Sequence, residues 1–168
     1  VASHTIRECT VSRPNEGIRV ASVGNLYRFL VTTQATNGAY AMLELTVPPG
    51  KGGPFHIHTR EEEAFYVLEG QMAFYTETER ILAGSGTFIN FPVHTIRGFR
   101  NESEHDVRML AVLAPGGLEQ MWLEEGIGIL LTDAAQSAPA VEPGASECPS
   151  NAQRYGVEIL PRELPARF

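Results

Sequence analysis

The stretch Gly50-Lys-Gly-Gly-Pro-Phe-His56-Ile-His58-Thr-Arg-Glu-Glu-Glu63-Ala-Phe-Tyr-Val-Leu-Glu-Gly70 decides the fold. Its two histidines stand two residues apart in a run that reads as extended, and on a strand such positions share a face, so both imidazoles project to one side. A polar turn follows, and the next run alternates so that Glu63, Phe65 and Val67 share a face. Two neutral imidazoles and one carboxylate make a facial ligand set suited to Fe(II), with Mn, Ni, Co, Cu or Zn as alternatives. A His-x-His pair by itself reads as two satisfied polar residues at a strand edge; Glu63 turns the expectation to metal ligation. Glu61 and Glu62 are read as a solvated turn, with Glu62 as the reserve ligand.

Outward from this stretch, residues 18 to 115 carry short β-type runs broken by Gly, Pro and Asn, the pattern of an all-β sandwich or barrel. The expected strands are Ile18 to Val23, Leu26 to Thr33, Ala39 to Val47, Phe55 to His58, Ala64 to Leu68, Gln71 to Glu77, Thr87 to Phe91, Thr95 to Phe99 and Val107 to Leu113. Connectors such as Asn37-Gly38, Pro48-Pro49-Gly50 and Glu69-Gly70 carry turn chemistry. After Pro115-Gly116-Gly117, the spacing of Leu118, Met121 and Trp122 predicts a short amphipathic helix over Leu118 to Glu125. The Ala, Ser, Pro and Gly-rich segment Thr132 to Ser150 reads as a flexible linker. The tail beyond it offers Tyr155, Ile159 and Leu160 for docking on the barrel or on a partner chain. With no internal repeat, residues 1–168 read as one domain, a core over about 18–115 followed by the helix and tail over 116–168.

Composition narrows the function classes. The 168 residues are 43% hydrophobic, enough for one core of barrel size. Thirteen Lys and Arg against 20 Asp and Glu leave a net charge of −7 with no basic cluster, which argues against nucleic acid and anionic lipid as partners. No apolar run approaches a bilayer span, and the reading is a soluble, cytoplasmic protein. Cys9 and Cys148 lack the spacing of a disulfide framework or a zinc clip and read as free thiols. His4 and His105 read as solvated.

A second stretch, Gly86-Thr-Phe-Ile-Asn-Phe-Pro92-Val-His94-Thr-Ile-Arg97-Gly-Phe-Arg-Asn101, completes the picture. The two stretches resemble the paired signatures of the cupins, the first at every specified position and the second at its Gly, Pro and Asn positions. The blocks Thr36 to Gly50, His56 to Gly70, Phe99 to Asn101, Leu113 to Glu119 and Gln153 to Pro161 are similar to the quercetin 2,3-dioxygenase-like monocupins in particular. The resemblance implies a double-stranded antiparallel β-barrel of jelly-roll type, a homodimer, and a metal held by His56, His58, Glu63 and a further histidine. That last histidine is Arg97 here, and a glycine of the turn is His94.

Arginine stays protonated and has no lone pair, so Arg97 is no ligand. Three readings follow. His56, His58 and Glu63 hold the metal alone and Arg97 orients an anionic substrate by a charge-assisted fork; His94 replaces the missing ligand; or Arg97 pairs with Glu63 and the site works without metal. Glu63 and Arg97 are therefore the candidate catalytic residues. Strand alternation makes Phe65, Val67, Phe74, Phe91, Phe99 and Met109 the candidate walls of an apolar pocket, suited to a flat phenolic or polyketide-type molecule. The expected activity is a metal-dependent dioxygenase-like oxidation of such a small molecule, against a non-redox isomerase or cyclase and a binding protein without turnover.

Overall fold

A computed structural model describes residues 7–125, 127–128 and 149–165 of the chain. Twelve strands, numbered in chain order, form two antiparallel sheets among these residues. The larger sheet contains β1 (Arg19–Ser22), β2 (Asn25–Val31), β3 (Ala41–Val47), β5 (Glu62–Glu69), β8 (Phe88–Phe91), β10 (Val107–Ala114) and β11 (Ile127–Gly128). Its spatial order is β11-β1-β2-β3-β10-β5-β8. The smaller contains β4 (Gly52–His58), β6 (Gln71–Tyr75), β7 (Arg80–Gly84), β9 (Arg97–Arg100) and β12 (Val157–Ile159), in the order β12-β4-β9-β6-β7. No ladder joins the two sheets among the described residues, so the expected barrel takes the form of a jelly-roll sandwich with open edges.

Period-two burial builds the core. Ala41, Leu43, Leu45 and Val47 of β3 point inward while Met42, Glu44 and Thr46 alternate with them, and β10 repeats the pattern with Val107, Met109, Ala111 and Leu113. The two strands pair in register, Leu43 opposite Ala111 and Leu45 opposite Met109, which stacks the apolar side chains in rows. Phe65 and Phe91 from the larger sheet meet Phe74 and Phe99 from the smaller, the closest rings (Phe65 and Phe74) 5.2 Å apart between centroids. Truncating one such phenylalanine to alanine costs about 3 to 5 kcal/mol, so this cluster is a main tie between the sheets.

Two short helices close the ends: α1 (Thr33–Thr36) and α2 (Glu119–Glu125). Leu118, Met121 and Trp122 are all buried, as their spacing predicts, and Trp122 stacks on Tyr27 at 4.8 Å. The Glu119 carboxylate, fully buried, accepts hydrogen bonds from the backbone N–H groups of Thr33 (2.7 Å) and Gly117 (2.9 Å), tying α2 to α1. All nine expected strands are present, with ends shifted by up to three residues, as at Gly52 in place of Phe55. The strands β7, β11 and β12, the helix α1 and a 3-10 turn over Ala152–Tyr155 are additions. The linker expected over Thr132 to Ser150 lies outside the described residues except for Pro149 and Ser150, and His4 and Cys148 lie outside them entirely. No helix among the described residues is long and apolar enough to cross a membrane.

Candidate metal centre

His56 and His58 sit near the end of β4, on the side that faces the interior, and Glu63 enters from the start of β5. Pro54 shapes the approach. It has no N–H to donate, and the ladder between β4 and β9 is irregular between Gly53 and His56. The Pro54 carbonyl lies 2.7 Å from His56 Nδ1, so this nitrogen carries the proton and the lone pair is left on Nε2. His58 Nε2 stands 3.8 Å from Glu63 Oε2, and the two imidazole rings are 4.9 Å apart.

One ligand atom from each of His56, His58 and Glu63 lies within 4.8 Å of the other two. Three donors bound to one ion at about 2.1 Å stand roughly 3.0 to 3.6 Å apart, so the set closes on an ion by side-chain movements of up to about an ångström each. All three residues are buried. Burial, reinforced by the neighbouring His58, lowers the His56 pKa to about 4, and burial with the charge of Arg97 lowers that of His58 to about 3. Both imidazoles are thus neutral at physiological pH, the form that ligates metal. His58 Nδ1 is buried without a hydrogen-bond partner. These residues fit a divalent transition metal.

The other candidates fall elsewhere. Arg97 lies opposite His56 in the β4–β9 ladder, the place from which a histidine would join the set. Its side chain is only 1% exposed and its polar contacts are to protein: Nη1 to Glu63 Oε2 at 3.4 Å, Nη2 to the Pro92 carbonyl at 3.0 Å and Nε to the Thr95 carbonyl at 3.3 Å. It packs against Phe91 at 5.5 Å and does not line the cavity. His94 is exposed, in the left-handed region at φ 65°, and reaches the site only through its backbone N–H, which donates to the His58 carbonyl at 2.9 Å. Glu62 is exposed and accepts from Asn90 Nδ2 at 3.2 Å, away from the set. Glu61 corrects the expectation of a solvated turn: it is 3% exposed, its Oε2 has no partner, and burial pushes its carboxyl above the usual range. The alternation Glu61, Glu63, Phe65, Val67 carried that signal. His105 is exposed as expected, and so is Cys9, a free thiol.

His56, His58 and Glu63 open on a cavity with about 560 Å³ of space free of protein atoms, part of it open to solvent. Phe65 and Phe99 line it, while Val67, Phe74, Phe91 and Met109 are buried in the core without lining it. The remaining wall comes from Tyr27, Leu43 and Leu45, from Met121 and Trp122 of α2, and from Pro149, Val157 and Ile159 of the tail. Sequence reading passed over these as walls because they enter through β2, β3, α2 and the tail, outside both motifs. The result is an apolar, aromatic-lined space with its polar groups gathered at the ligand set.

Comparison with known proteins agrees with this fold. Residues 43–113 match the family described as Cupin domain. Quercetin 2,3-dioxygenase of Bacillus subtilis (strain 168) is 32% identical over 109 residues, 65% of this chain and 32% of that protein. The chain therefore spans about a third of the length of that curated relative. Among solved structures, KdgF from Halomonas sp. superposes with a TM-score of 0.58 at 18% identity, over 67% of this chain and 99% of that one. An RmlC-like cupin from Shewanella frigidimarina also gives 0.58, at 16% identity over 68% and 97%. At these identities the two structures speak for the fold.

Proposed function

We propose that this chain, whose residues 43–113 match the cupin family, is a metal-dependent, quercetinase-like oxygenase acting on a small aromatic, phenolic or polyketide-type molecule. One observation carries the proposal: His56, His58 and Glu63 converge, buried, neutral at both imidazoles, on an aromatic-lined cavity. A bound ion, Fe(II) first or Mn, Ni, Co, Cu or Zn, supplies Lewis acidity and, where redox-active, electrons for reaction with dioxygen. The chain's own residues do the rest. Tyr27, Phe65, Phe99 and Trp122 receive a flat apolar body and exclude water. Glu63 supplies the negative charge that holds the ion. Arg97 acts as a positioning residue, holding Oε2 of Glu63 from behind while the Pro92 and Thr95 carbonyls fix the guanidinium.

Metal analysis of untagged protein tests the proposal. We expect about one equivalent of a transition metal, or its restoration by Fe, Mn, Ni, Co, Cu or Zn, with oxygen uptake on a panel of phenols. Less than about a tenth of an equivalent, unrestored by any of them, overturns it. A homodimer is part of the same reading, supported by the exposed side chains of Tyr66, Leu68 and Phe88 on β5 and β8, and sedimentation tests it.

The Arg97 to Glu63 contact favours a second reading, in which the paired carboxylate holds no ion and the cavity serves a non-redox isomerase or cyclase, or binds a ligand without turnover. Turnover of an enolisable compound without oxygen uptake by metal-free protein would establish it.

A further inference from the structure

The tail reaches the site by pairing with its ligand strand. Val157 lies opposite His58 and Ile159 opposite His56, and paired residues of an antiparallel ladder project to the same face, so both tail side chains flank the imidazoles on the cavity side. They differ in exposure. Val157 is 4% exposed and forms part of the closed wall, whereas Ile159 is 40% exposed while still lining the cavity, which puts it at the boundary with solvent.

That boundary residue is firmly carried. The Thr59 N–H donates to the Gly156 carbonyl at 2.9 Å before β12, and the Leu160 N–H donates to the Phe55 carbonyl at 2.9 Å after it. Asn151 Nδ2 donates to the Met121 carbonyl at 3.2 Å, and Arg154 pairs with Glu124 at 3.1 Å, so the tail is also fastened to α2. Past Ile159 the chain turns over the edge of the smaller sheet, and Leu160 and Leu164 pack on Phe55, Ala73 and Tyr75 on its outer side. A β-branched side chain is stiff at χ1, so a small set of rotamers defines the opening.

We propose that Ile159 is the specificity-determining residue of this cavity, setting the cross-section of the molecules that reach the His56, His58 and Glu63 set. The inference rests on the reading of the cavity as a ligand site, and it predicts selection by size at a fixed threshold.

Trp122, the chain's only tryptophan, lines the same cavity and is 8% exposed, so its fluorescence reports on entry without any metal. The test measures quenching of Trp122 in the full chain by acrylamide and by the bulkier succinimide. Ile159→Ala is expected to raise the succinimide quenching constant about threefold and the acrylamide constant less, and Ile159→Phe to lower both about twofold, as a change of pocket width discriminates by size. Leu82→Ala, at an exposed position of β7 on the opposite edge of the same sheet, is expected to change neither. Unchanged constants in both Ile159 variants, an equal effect from Leu82→Ala, or a rise in both Ile159 variants that marks a loosened tail, would overturn the proposal. Loss of the metal reading would leave this result standing.

Discussion

At position 97 a guanidinium occupies the site from which an imidazole would approach, and its charge bears on every partner within reach. Glu63 is the only carboxylate it contacts among the described residues, and both are buried. Glu63→Gln therefore strands a buried cation. We expect a stability loss of about 3 kcal/mol in urea titrations, together with a fall in Co(II) affinity of at least about a hundredfold. Stability and affinity both unchanged would mean that Glu63 serves neither Arg97 nor the ion. Arg97→His removes a positive charge near the ion and adds a donor, so Co(II) should bind about tenfold tighter by calorimetry, while the metal-free variant loses stability because Glu63 is left unpaired. Weaker binding would show that holding the Glu63 carboxylate outweighs the repulsion.

Among the elements, β4 is the most constrained, because it carries His56 and His58 on one side and meets a neighbouring backbone on the other. A Cβ on Gly52 would stand 2.0 Å from the Phe99 carbonyl oxygen, with backbone on every near contact, so nothing flexible is there to yield. Gly52→Ala should displace β4 from β9, lower the melting temperature by about 10 °C or more and abolish Co(II) binding, readable by calorimetry and circular dichroism. A fully folded, metal-binding variant would mean that the ladder tolerates a shift there. Legibility followed the same lines. The alternation of β3 and β10 and the His-x-His and Glu63 spacing were plain, because period-two burial and ligand geometry are local properties. Strand β7 escaped because Ile81, Leu82 and Ala83 are all apolar, so its burial alternates while its sequence does not. Strand β12 is three residues long and owes its existence to β4, a partner about a hundred positions earlier, which no local pattern can report. Glu61 and Glu62 read as a solvated turn because charge was given more weight than parity, which puts Glu61 on the buried face with Glu63.

For the molecule as a whole, the two buried imidazoles make the metal-free fold acid-sensitive. Unfolded, each takes up its proton near the ordinary value of 6.5; folded, they do so only near about 4 and about 3. Between these values the unfolded chain binds more protons, so the stabilisation is complete above 6.5 and drains away as pH falls. Going from about pH 7.5 to about pH 5 should cost about 2 kcal/mol per histidine, seen as a lower urea midpoint. Glu61 acts with the opposite sign, because its raised carboxyl favours the fold when protonated and its contribution fades as pH rises. A flat profile between those two pH values would contradict burial of neutral imidazoles, and His56→Asn with His58→Asn should flatten it.

The pairing of β12 with β4 also sets an order of events during synthesis. Residues 52 to 58 leave the ribosome long before residues 157 to 159, and until the latter arrive the histidine strand is an open edge with unpaired N–H and C=O groups. A nascent chain thus carries His56 and His58 on an adhesive margin until about a hundred further residues have been made. That interval is the one in which pairing of the open margin with another chain is most favoured.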